Sequence, residues 1–390
     1  MKLETLEIVS LREWCRPVAA SELKTADGNC AFWADEGEEI RLPPPDFTLD
    51  PADSEAIGRD CRNVAMNLVD FTQRTDGRAI AKLRDVVVRN GSCTVMLNRH
   101  LALAESYHNR FVFEFIKAGP ISYADARVGL TVNGETCMVD LKLYPVAEID
   151  QRLDGPAVML TARWAETYLH WIIEVLPRLW YRDEFPWMRK LPVVVPDALS
   201  RFQRDTLQAF GIEDRVAFTG QALSAETLYF PTFFAPAGLG REHVAWLRRK
   251  MFAAYGVAEG RPERLIYVSR RKARARNVLN EDEVMAELAP RGFEAVCLED
   301  LSMREQLALF ANARLVIAPN GSGTINFLFA PPGAGLIDLV VGSDPHPMFW
   351  VMAKLIDCRY GRLRCKDTPD GRSDLTVDMA GLKALLAQAL

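Results

Sequence analysis

Residues 315–329, LVIAPNGSGTINFLF, are the stretch that decides the expected fold. The apolar run 315–318 predicts a buried strand and 324–329 predicts a helix, with Gly321 and Gly323 in the turn between them. A strand that passes through a glycine-rich turn into a helix is the unit from which parallel α/β sheets are built. Ligands of such sheets lie at the carboxyl ends of the strands. The turn is therefore the first candidate for a binding site.

The same alternation of strand and helix extends in both directions from this stretch. Two successive sets of elements are predicted, which indicates an α/β protein with two Rossmann-like domains and ligands between them. The predicted strands are 157–161, 191–195, 216–218, 227–230, 265–269, 293–298, 315–318 and 335–341. The predicted helices are 166–179, 200–210, 242–255, 281–289, 302–311 and 324–329.

The first 150 residues are predicted to form short strands and loops. β-branched and aromatic runs indicate strands at 84–89, 93–97, 111–116 and 128–132. Tight turns are expected at Asn90-Gly91 and Asn133-Gly134. The expected organisation is a strand-rich N-terminal segment, two Rossmann-like domains, and a C-terminal segment whose helix, about 377–390, packs back across the domains. The boundaries of these four parts are 1–155, 156–258, 259–345 and 346–390.

Composition and charge exclude several classes of protein. The 390 residues are 49% apolar and 25% charged, which excludes disordered and fibrous chains. A net charge of −5 gives no basic footprint for nucleic acid, so no nucleic-acid partner is expected. Acids in residues 1–7 argue against a signal peptide, and no apolar run is long enough to predict a transmembrane segment. The expected location is the cytoplasm, with a peripheral position at the inner membrane face as the variant.

Metal binding is not predicted by the sequence. The eight cysteines contain no Cys-x-x-Cys pair, and no Cys/His cluster has zinc spacing, so reduced thiols are expected. No Asp-x-Asp motif occurs, which removes one common way of holding a divalent ion on a diphosphate without excluding every metal.

A basic cluster follows directly on the predicted strand 265–269. From Arg264 to Arg276 there are six basic residues and no acid, a local charge that the total of −5 conceals. The planar guanidinium group matches phosphate oxygens and keeps its charge when it is desolvated. The cluster therefore predicts a diphosphate ligand, with Arg270, Arg271 and Arg276 as candidates. The alternative is a solvated basic loop.

The turn NGSGT comprises Asn320, Gly321, Ser322, Gly323 and Thr324. Its two glycines let the backbone approach a ligand closely, and free N–H groups at a helix start favour an anion. It lacks the third glycine of the dinucleotide fingerprint. The alternative is an ordinary strand-to-helix turn. Because the basic cluster belongs to the same predicted domain, the two together favour an anion site.

A third group lies on the predicted helix 166–179. His170, Glu174 and Arg178 are spaced by four residues, so one helix face carries all three, and Pro177 should bend or end the helix. An imidazole and a carboxylate on one face can supply a general base. The alternative is an ion-pair ladder or a helix end.

These stretches together resemble glycosyltransferase family 61, which includes plant xylosyl- and arabinosyltransferases, animal O-linked glycosylation enzymes and many bacterial members. The resemblance rests on HWIIEVLPRL at 170–179, YVSRRKARARNVLNEDEV at 267–284 and the stretch from LEDLSMREQ to GAGLIDL at 298–339. It covers a little under half of the chain, in the order of the family.

The resemblance implies a GT-B architecture of two facing Rossmann-like domains and an inverting transfer that uses a nucleotide-diphosphate sugar, with no other cofactor and no obligatory metal. Domain 259–345 would hold the donor and domain 156–258, with the N-terminal segment, the acceptor. His170 is the expected base, with Glu174 orienting it or acting itself. The donor-binding set that the resemblance implies comprises Arg270, Arg271, Arg276, Asn280, Glu305, Asn320, Gly321, Ser322, Gly323 and Thr324.

The chain departs from the family at two positions of the turn. The family usually has histidine where this chain has Asn320, and threonine where it has Ile325. Asn320 can donate a hydrogen bond but cannot carry a charge or shuttle a proton. A chain without that histidine must rely more on its arginines to stabilise a leaving phosphate.

The expected function is the transfer of a sugar from a nucleotide-diphosphate sugar, expected to be UDP-linked, to a hydroxyl acceptor in bacterial polysaccharide, capsule or glycan synthesis. Its expected partners are the donor, the acceptor and, peripherally, a polysaccharide assembly complex. One alternative is a non-catalytic subunit that binds sugar nucleotides, which the Asn320 departure keeps open. The other is a GT-B-like sugar-nucleotide epimerase, which would need no acceptor.

Overall fold

The structure of the protein, a computed structural model, describes residues 5–50, 52, 68–69, 71–75, 77–90, 93–98, 101–103, 121–122, 126–132, 135–141, 149–162, 164–232, 240–341, 347–368 and 374–390.

The strands, in chain order, are β1 Thr5–Val9, β2 Arg16–Pro17, β3 Cys30–Trp33, β4 Glu39–Arg41, β5 Leu68–Val69, β6 Thr72–Arg74, β7 Ala79–Arg89, β8 Val95–Met96, β9 Leu101–Leu103, β10 Ile121–Ser122, β11 Ala126–Val132, β12 Glu135–Leu141, β13 Gln151–Arg152, β14 Ala157–Met159, β15 Val193–Pro196, β16 Arg215–Phe218, β17 Ala222–Pro231, β18 Arg264–Val268, β19 Phe293–Val296, β20 Ala313–Pro319, β21 Gly335–Val340, β22 Arg359–Arg364, β23 Lys366–Asp367 and β24 Leu375–Thr376.

The α-helices are α1 Leu11–Trp14, α2 Tyr168–His170, α3 Tyr181–Glu184, α4 Arg201–Ala209, α5 Arg241–Tyr255, α6 Glu281–Leu288, α7 Met303–Phe310, α8 Met348–Leu355 and α9 Met379–Ala389. One π-helical turn, Trp171–Val175, and the 3₁₀ helices Leu176–Trp180, Pro186–Lys190, Ala289–Arg291, Leu298–Asp300 and Ser322–Phe329 complete the described helices.

Contacts divide the chain into two compact units. The described residues of unit 1 fall within 1–39 and 74–239, and those of unit 2 within 40–63, 68–73 and 240–390. The N-terminal segment therefore contributes to both units, whereas the sequence places it with the first Rossmann-like domain.

Unit 2 is built on a five-stranded, entirely parallel sheet with the order β19-β18-β20-β21-β22. Numbered along the chain, this is the order 2-1-3-4-5 of a doubly wound α/β sheet. The chain leaves β18 to form β19 on one side and returns to form β20 on the other. The carboxyl ends of β18 and β20 therefore flank the topological switch point, where such sheets bind ligands.

Helices cover both faces of this sheet. On one face, α6 and α9 pack on the strands through Val284, Leu288, Leu382 and Leu385. On the other, α5, α7 and α8 contact the 3₁₀ helix Ser322–Phe329. Strands covered on both faces are apolar along their whole length, and every residue of β21 is buried.

Unit 1 is built on a larger mixed sheet with the order β10-β1-β9-β8-β7-β17-β14-β15-β16, to which β3 adds beside β7 and β13 beside β17. Its last four strands are parallel, in the order 3-2-1-4 when β14 is counted first. That is the strand order of a Rossmann-like half. The long strand β17 joins this parallel part to β7 through antiparallel pairing from Ala222 to Pro231.

The α/β class predicted from the sequence is confirmed, and the facing arrangement of a GT-B enzyme stays a prediction. The strand predictions at 84–89, 93–97 and 128–132 fall on β7, β8 and β11. The strand prediction at 111–116 and the glycines of both predicted turns lie outside the described residues.

Two elements lie in a different place from the sequence prediction. Helix α5 was assigned to the domain 156–258 and lies in unit 2, where Arg248 donates to the carbonyl of Ala330 at 2.8 Å. The C-terminal segment completes unit 2 itself, because β22 adds to its sheet and α9 packs on it.

Replacing Gly361 of β22 by alanine should destabilise unit 2. A Cβ at this position would lie 2.5 Å from the Cβ and 2.7 Å from the carbonyl oxygen of Phe47, which forms a parallel β-bridge with Gly361. Overpacking of this kind costs about 1–3 kcal/mol. Urea unfolding followed by circular dichroism measures the loss. Gly155→Ala, with nothing within 4 Å of the new Cβ, is the matched control, and equal stability of the two variants would contradict the packing argument.

Candidate functional site

The basic cluster and the NGSGT turn meet at the switch point of unit 2. Ser269 and Arg270 follow the carboxyl end of β18, and Asn320 and Gly321 follow that of β20, its neighbour in the sheet. The structure therefore brings together the two stretches from which the sequence predicts an anion site.

Half of the basic cluster is neutralised by nearby carboxylates. Arg264 pairs with Glu294, Arg271 with Glu281 and Asp282, and Lys272 with Asp300. In the described part of the chain, no carboxylate lies within ion-pair distance of the remaining three, which are Arg270, Arg274 and Arg276. Fewer positive charges are therefore available to a ligand than the six basic residues suggest. Arg271, one of the candidates, is already paired with carboxylates.

The guanidinium of Arg270 lies directly against the glycine turn. Its Nε and Nη2 donate to the carbonyl of Ala275 at 3.2 and 2.9 Å. A Cβ on Gly321 would stand 2.8 Å from Arg270 Nη1 and 3.7 Å from Arg276 Nη1, so a side chain there would displace the guanidinium. Burial, and then the charge of Arg276, lower the pKa of Arg270. The two arginines are thus close enough to repel each other.

Arg276 occupies a strained backbone conformation with a φ of 61°. Non-glycine residues in this region cost of order 1–3 kcal/mol and persist where the surroundings impose them. Here the next residue, Asn277, is anchored on Asp374 through its backbone N–H at 2.8 Å and its amide at 3.2 Å. Arg276 Nη1 in turn donates to the carbonyl of Asn320 at 2.8 Å. These contacts impose the strained conformation and keep the Arg276 guanidinium beside the carboxyl end of β20.

Hydrogen bonds to the sheet and within the turn fix the NGSGT turn in place. Thr324 is buried and its hydroxyl donates to the carbonyl of Pro319 at 3.2 Å, so it fixes the turn. The N–H of Asn320 is bonded to the carbonyl of Leu339. Within the described residues, the N–H groups of Gly321, Ser322 and Gly323 have no intramolecular acceptor. These three N–H groups remain available to an anion.

Asp338 lies beneath the turn and was not singled out by the sequence analysis. It is fully buried in β21, and its Oδ2 accepts from Asn320 Nδ2 at 3.0 Å and from the hydroxyl of Tyr360 at 3.1 Å. Burial raises the pKa of Asp338 to about 7, against the lowering effect of Asn320, Tyr360 and two arginines. The sequence feature that could have identified Asp338 is its position as an acid within the otherwise apolar run GLIDLV.

Two polar residues of the expected donor site, Asn280 and Glu305, form hydrogen bonds within unit 2. Asn280 does not cap α6 with its side chain but exchanges hydrogen bonds with the backbone of Val377 at 3.0 and 2.9 Å. Glu305 completes the capping box of α7, accepting from the N–H and the hydroxyl of Ser302, which lowers its pKa. Their role toward a donor stays a prediction.

His170, Glu174 and Arg178, the candidate group of unit 1, lie on an irregular helix. The α-helical turn α2 passes into a π-helical turn at Trp171 and a 3₁₀ helix at Leu176, next to Pro177, which has no N–H to continue an α-helix. π-turns inside helices are frequent at functional sites. Regular α-helical geometry therefore ends at His170, and the next ten residues, Trp171–Val175 and Leu176–Trp180, have π-helical and 3₁₀ geometry.

His170 and Glu174 meet on this helix. His170 Nδ1 contacts Glu174 Oε1, and Glu174 is buried while His170 is partly exposed. Arg178 is also buried and donates to the carbonyls of Glu174 and Thr161, each at 3.2 Å. The ladder expected as an alternative is thus present as a His–Glu pair, with Arg178 bound to backbone rather than to the carboxylate. Burial lowers the pKa of Arg178, and the charge of Glu174 opposes that shift.

An exposed aromatic ring adjoins this pair. Trp164 has a φ of 61° and a side chain 38% exposed, and its ring lies 5.2 Å from that of His170. The sequence predicts that one or two of the tryptophans are sugar-stacking platforms without separating them from core residues. The structure places Trp164 beside the candidate base.

The match to a known protein family includes both the His170–Glu174 pair and the basic cluster with the NGSGT turn. Residues 168–337 match the model of the family Glycosyltransferase 61. This stretch is similar to glycosyltransferase family 61. It runs from the His170 helix of unit 1 to the Asp338 strand of unit 2, so the family resemblance stated above is confirmed over this part of the chain.

One relative is an enzyme that transfers a sugar. Over 100 residues the chain is 35% identical to the EGF domain-specific O-linked N-acetylglucosamine transferase of Drosophila melanogaster. The matched part is 25% of this chain and 19% of the relative, so the chain spans about a fifth of the relative's length.

The described residues contain neither a candidate metal centre nor a helix able to span a membrane. No group of three or more His, Cys, Asp and Glu side chains in that part of the chain could hold a metal ion. Over the same residues, none of the helices combines the length and the apolar character needed to cross a bilayer.

The stability of unit 2 should depend on pH through Asp338. Its pKa is raised from 3.8 to about 7, so the folded state keeps a proton that the unfolded state has lost. The contribution is fully present below about pH 4 and is lost as the pH rises to 7, at about 1.4 kcal/mol per pH unit. The Asp338→Asn variant should lack it. Urea unfolding from pH 4 to 8 compares the two chains, with the exposed Asp154→Asn as control; parallel curves for wild type and Asp338→Asn would contradict the assignment.

Proposed function

We propose that the protein is an inverting glycosyltransferase that moves a sugar from a nucleotide-diphosphate sugar, UDP-linked in the proposal, to a hydroxyl of a glycan acceptor. The family match and the glycosyltransferase relative support the reaction class. Bacterial polysaccharide or glycan synthesis in the cytoplasm is the setting suggested by the resemblance of the sequence.

The observation that carries the proposal is the convergence of Arg270 and Arg276 on the NGSGT turn. Two guanidinium groups without a paired carboxylate, beside three unbonded N–H groups at a switch point, supply the donors that a diphosphate requires. When the sugar leaves, charge grows on the β-phosphate, and preplaced cations and N–H groups stabilise it. The proposal therefore needs no metal at the leaving group.

The chemistry proposed is a direct displacement at the anomeric carbon. The acceptor hydroxyl oxygen bonds to that carbon while the bond to the β-phosphate oxygen breaks and its electron pair leaves with the nucleoside diphosphate. His170 takes the hydroxyl proton. Because Nδ1 faces Glu174, the receiving nitrogen in this scheme is Nε2. A buried carboxylate at Nδ1 fixes the tautomer and stabilises the imidazolium that forms, as in other His–carboxylate pairs.

The first test is binding of nucleoside diphosphates by Arg270 and Arg276 variants. Arg270→Ala and Arg276→Ala should each weaken binding about tenfold to a hundredfold, because each loses charge-assisted hydrogen bonds worth about 1.5–3 kcal/mol. Isothermal titration with UDP, GDP and ADP measures the effect.

Arg264→Ala is the matched control, because Arg264 belongs to the same basic cluster but pairs with Glu294. It should keep wild-type affinity. The proposal is overturned if wild type binds none of the three nucleotides. The phosphate assignment alone is lost if Arg264→Ala weakens binding as much as Arg270→Ala.

The second test concerns His170. His170→Ala should lower turnover at least roughly a hundredfold while nucleotide binding persists, since a general base contributes about 10²–10⁴ to the rate. Transfer of labelled sugar from the best-binding donor to an acceptor mixture is the measurement. Near-wild-type turnover would remove His170 from this role.

The alternative functions give different results in the same assay. A non-catalytic binding subunit, which the Asn320 departure keeps open, binds the donor and transfers to no acceptor. An epimerase changes the labelled sugar of the donor with no acceptor present.

A further inference from the structure

Asp338 is an acid in the most buried part of the unit 2 sheet. All six residues of β21, GLIDLV, are buried, and Asp338 has no exposed surface. Burying a carboxyl group costs free energy unless hydrogen bonds compensate, and an apolar residue would serve packing better. Its position next to the turn suggests that it serves the site.

The two oxygens of Asp338 have different surroundings. Oδ2 accepts from Asn320 Nδ2 at 3.0 Å and from the hydroxyl of Tyr360 at 3.1 Å. In the described residues Oδ1 has no hydrogen-bond partner. A proton on the carboxyl group therefore sits on Oδ1, and Oδ2 remains an acceptor whether Asp338 is neutral or ionised.

This contact determines which way the Asn320 amide faces. Because Oδ2 accepts from Asn320 Nδ2, the carbonyl end of the amide faces Arg276, with 3.5 Å between Asn320 Oδ1 and Arg276 Nη1. The same Nη1 also donates to the backbone carbonyl of Asn320 at 2.8 Å. A flipped amide would turn its NH₂ toward a guanidinium that can only donate.

We propose that Asp338 is a positioning residue of the diphosphate site, whose Oδ2 holds the Asn320 amide with its acceptor toward Arg276 and so fixes the Arg276 guanidinium beside Gly321. This inference rests on the proposed function, since it assumes that the site binds a diphosphate. It also assigns Asn320 a role different from the one expected from the sequence. Asn320 orients the cation that binds the phosphate, while its backbone N–H donates to Leu339 and one N–H of its amide donates to Asp338.

The raised pKa of Asp338 agrees with this geometry. With a pKa of about 7, the Asp338 carboxyl is ionised to only about half at pH 7, so it places less negative charge beneath a bound diphosphate than an ordinary aspartate would, while its Oδ2 still accepts from Asn320. The charged groups around it are Arg362 of β22 and Arg276, with Tyr360 from β22 and Asn320 from the turn as its hydrogen-bond donors.

The experiment compares Asp338→Ala, Asp338→Asn and Asn320→Ala with wild type, by titration with whichever of UDP, GDP and ADP wild type binds most tightly. Asp338→Ala should weaken binding about tenfold, the loss expected when one charge-assisted hydrogen bond is misaligned. Asp338→Asn keeps an acceptor for Asn320 and should bind within about twofold of wild type. Asp338→Leu, which removes the acceptor while filling a similar volume, is measured alongside in case the alanine variant does not fold.

A double-mutant cycle separates positioning from a general effect on folding. If Asp338 acts through Asn320, Asp338→Ala should add nothing to the loss already caused by Asn320→Ala. The inference is overturned if the two losses multiply, or if Asp338→Asn binds as weakly as Asp338→Ala. Undiminished binding by both Asp338→Ala and Asp338→Leu overturns it as well, with the proposed function intact. Absence of binding by wild type overturns the proposed function and this inference with it.

Discussion

Two like charges held against one glycine are the constraint on which the site of unit 2 depends. Arg270 and Arg276 both approach Gly321, and their mutual repulsion, together with the partial burial of Arg270, disfavours this arrangement in the free protein. The chain compensates with contacts that fix each arginine separately. Ala275 supplies a carbonyl to Arg270, and Asn320 supplies one to Arg276. An anion bound between the two guanidinium groups would offset their repulsion. The arrangement therefore favours binding of a negatively charged ligand.

The parallel sheet of unit 2 could be predicted from the sequence because both of its faces are covered. Such strands appear as continuous apolar runs: the predicted strand 315–318 lies within the longer β20, and the predicted strand 335–341 matches β21 to within one residue. Strand β22 was missed because its sequence, RYGRLR, has three arginines and a glycine. Helix α8, MFWVMAKL, was missed because a short apolar run does not distinguish a helix from a strand.

The site could be predicted only in part, because its electrostatics depend on contacts between residues distant in the chain. Sequence located the basic cluster and the glycine turn, but the partners of the basic residues are set by the fold. Lys272 is neutralised by Asp300, 28 residues away, and Arg264 by Glu294, 30 residues away. The same holds for Asn320, whose amide donates at 3.0 Å to Asp338, a residue 18 positions on in the chain.

The two candidate groups differ in the kind of chemistry that they can perform. The arginines of unit 2 can hold and stabilise an anion, which a binding protein and a transferase both require. The His170–Glu174 pair adds something that binding alone does not need, because Glu174 is buried and the ring it holds is partly exposed. Burying a carboxylate is costly, and the π-helical turn that carries it departs from regular helix geometry. In the proposed function, both features serve the proton transfer that a transferase requires and that a protein which only binds a sugar nucleotide does not.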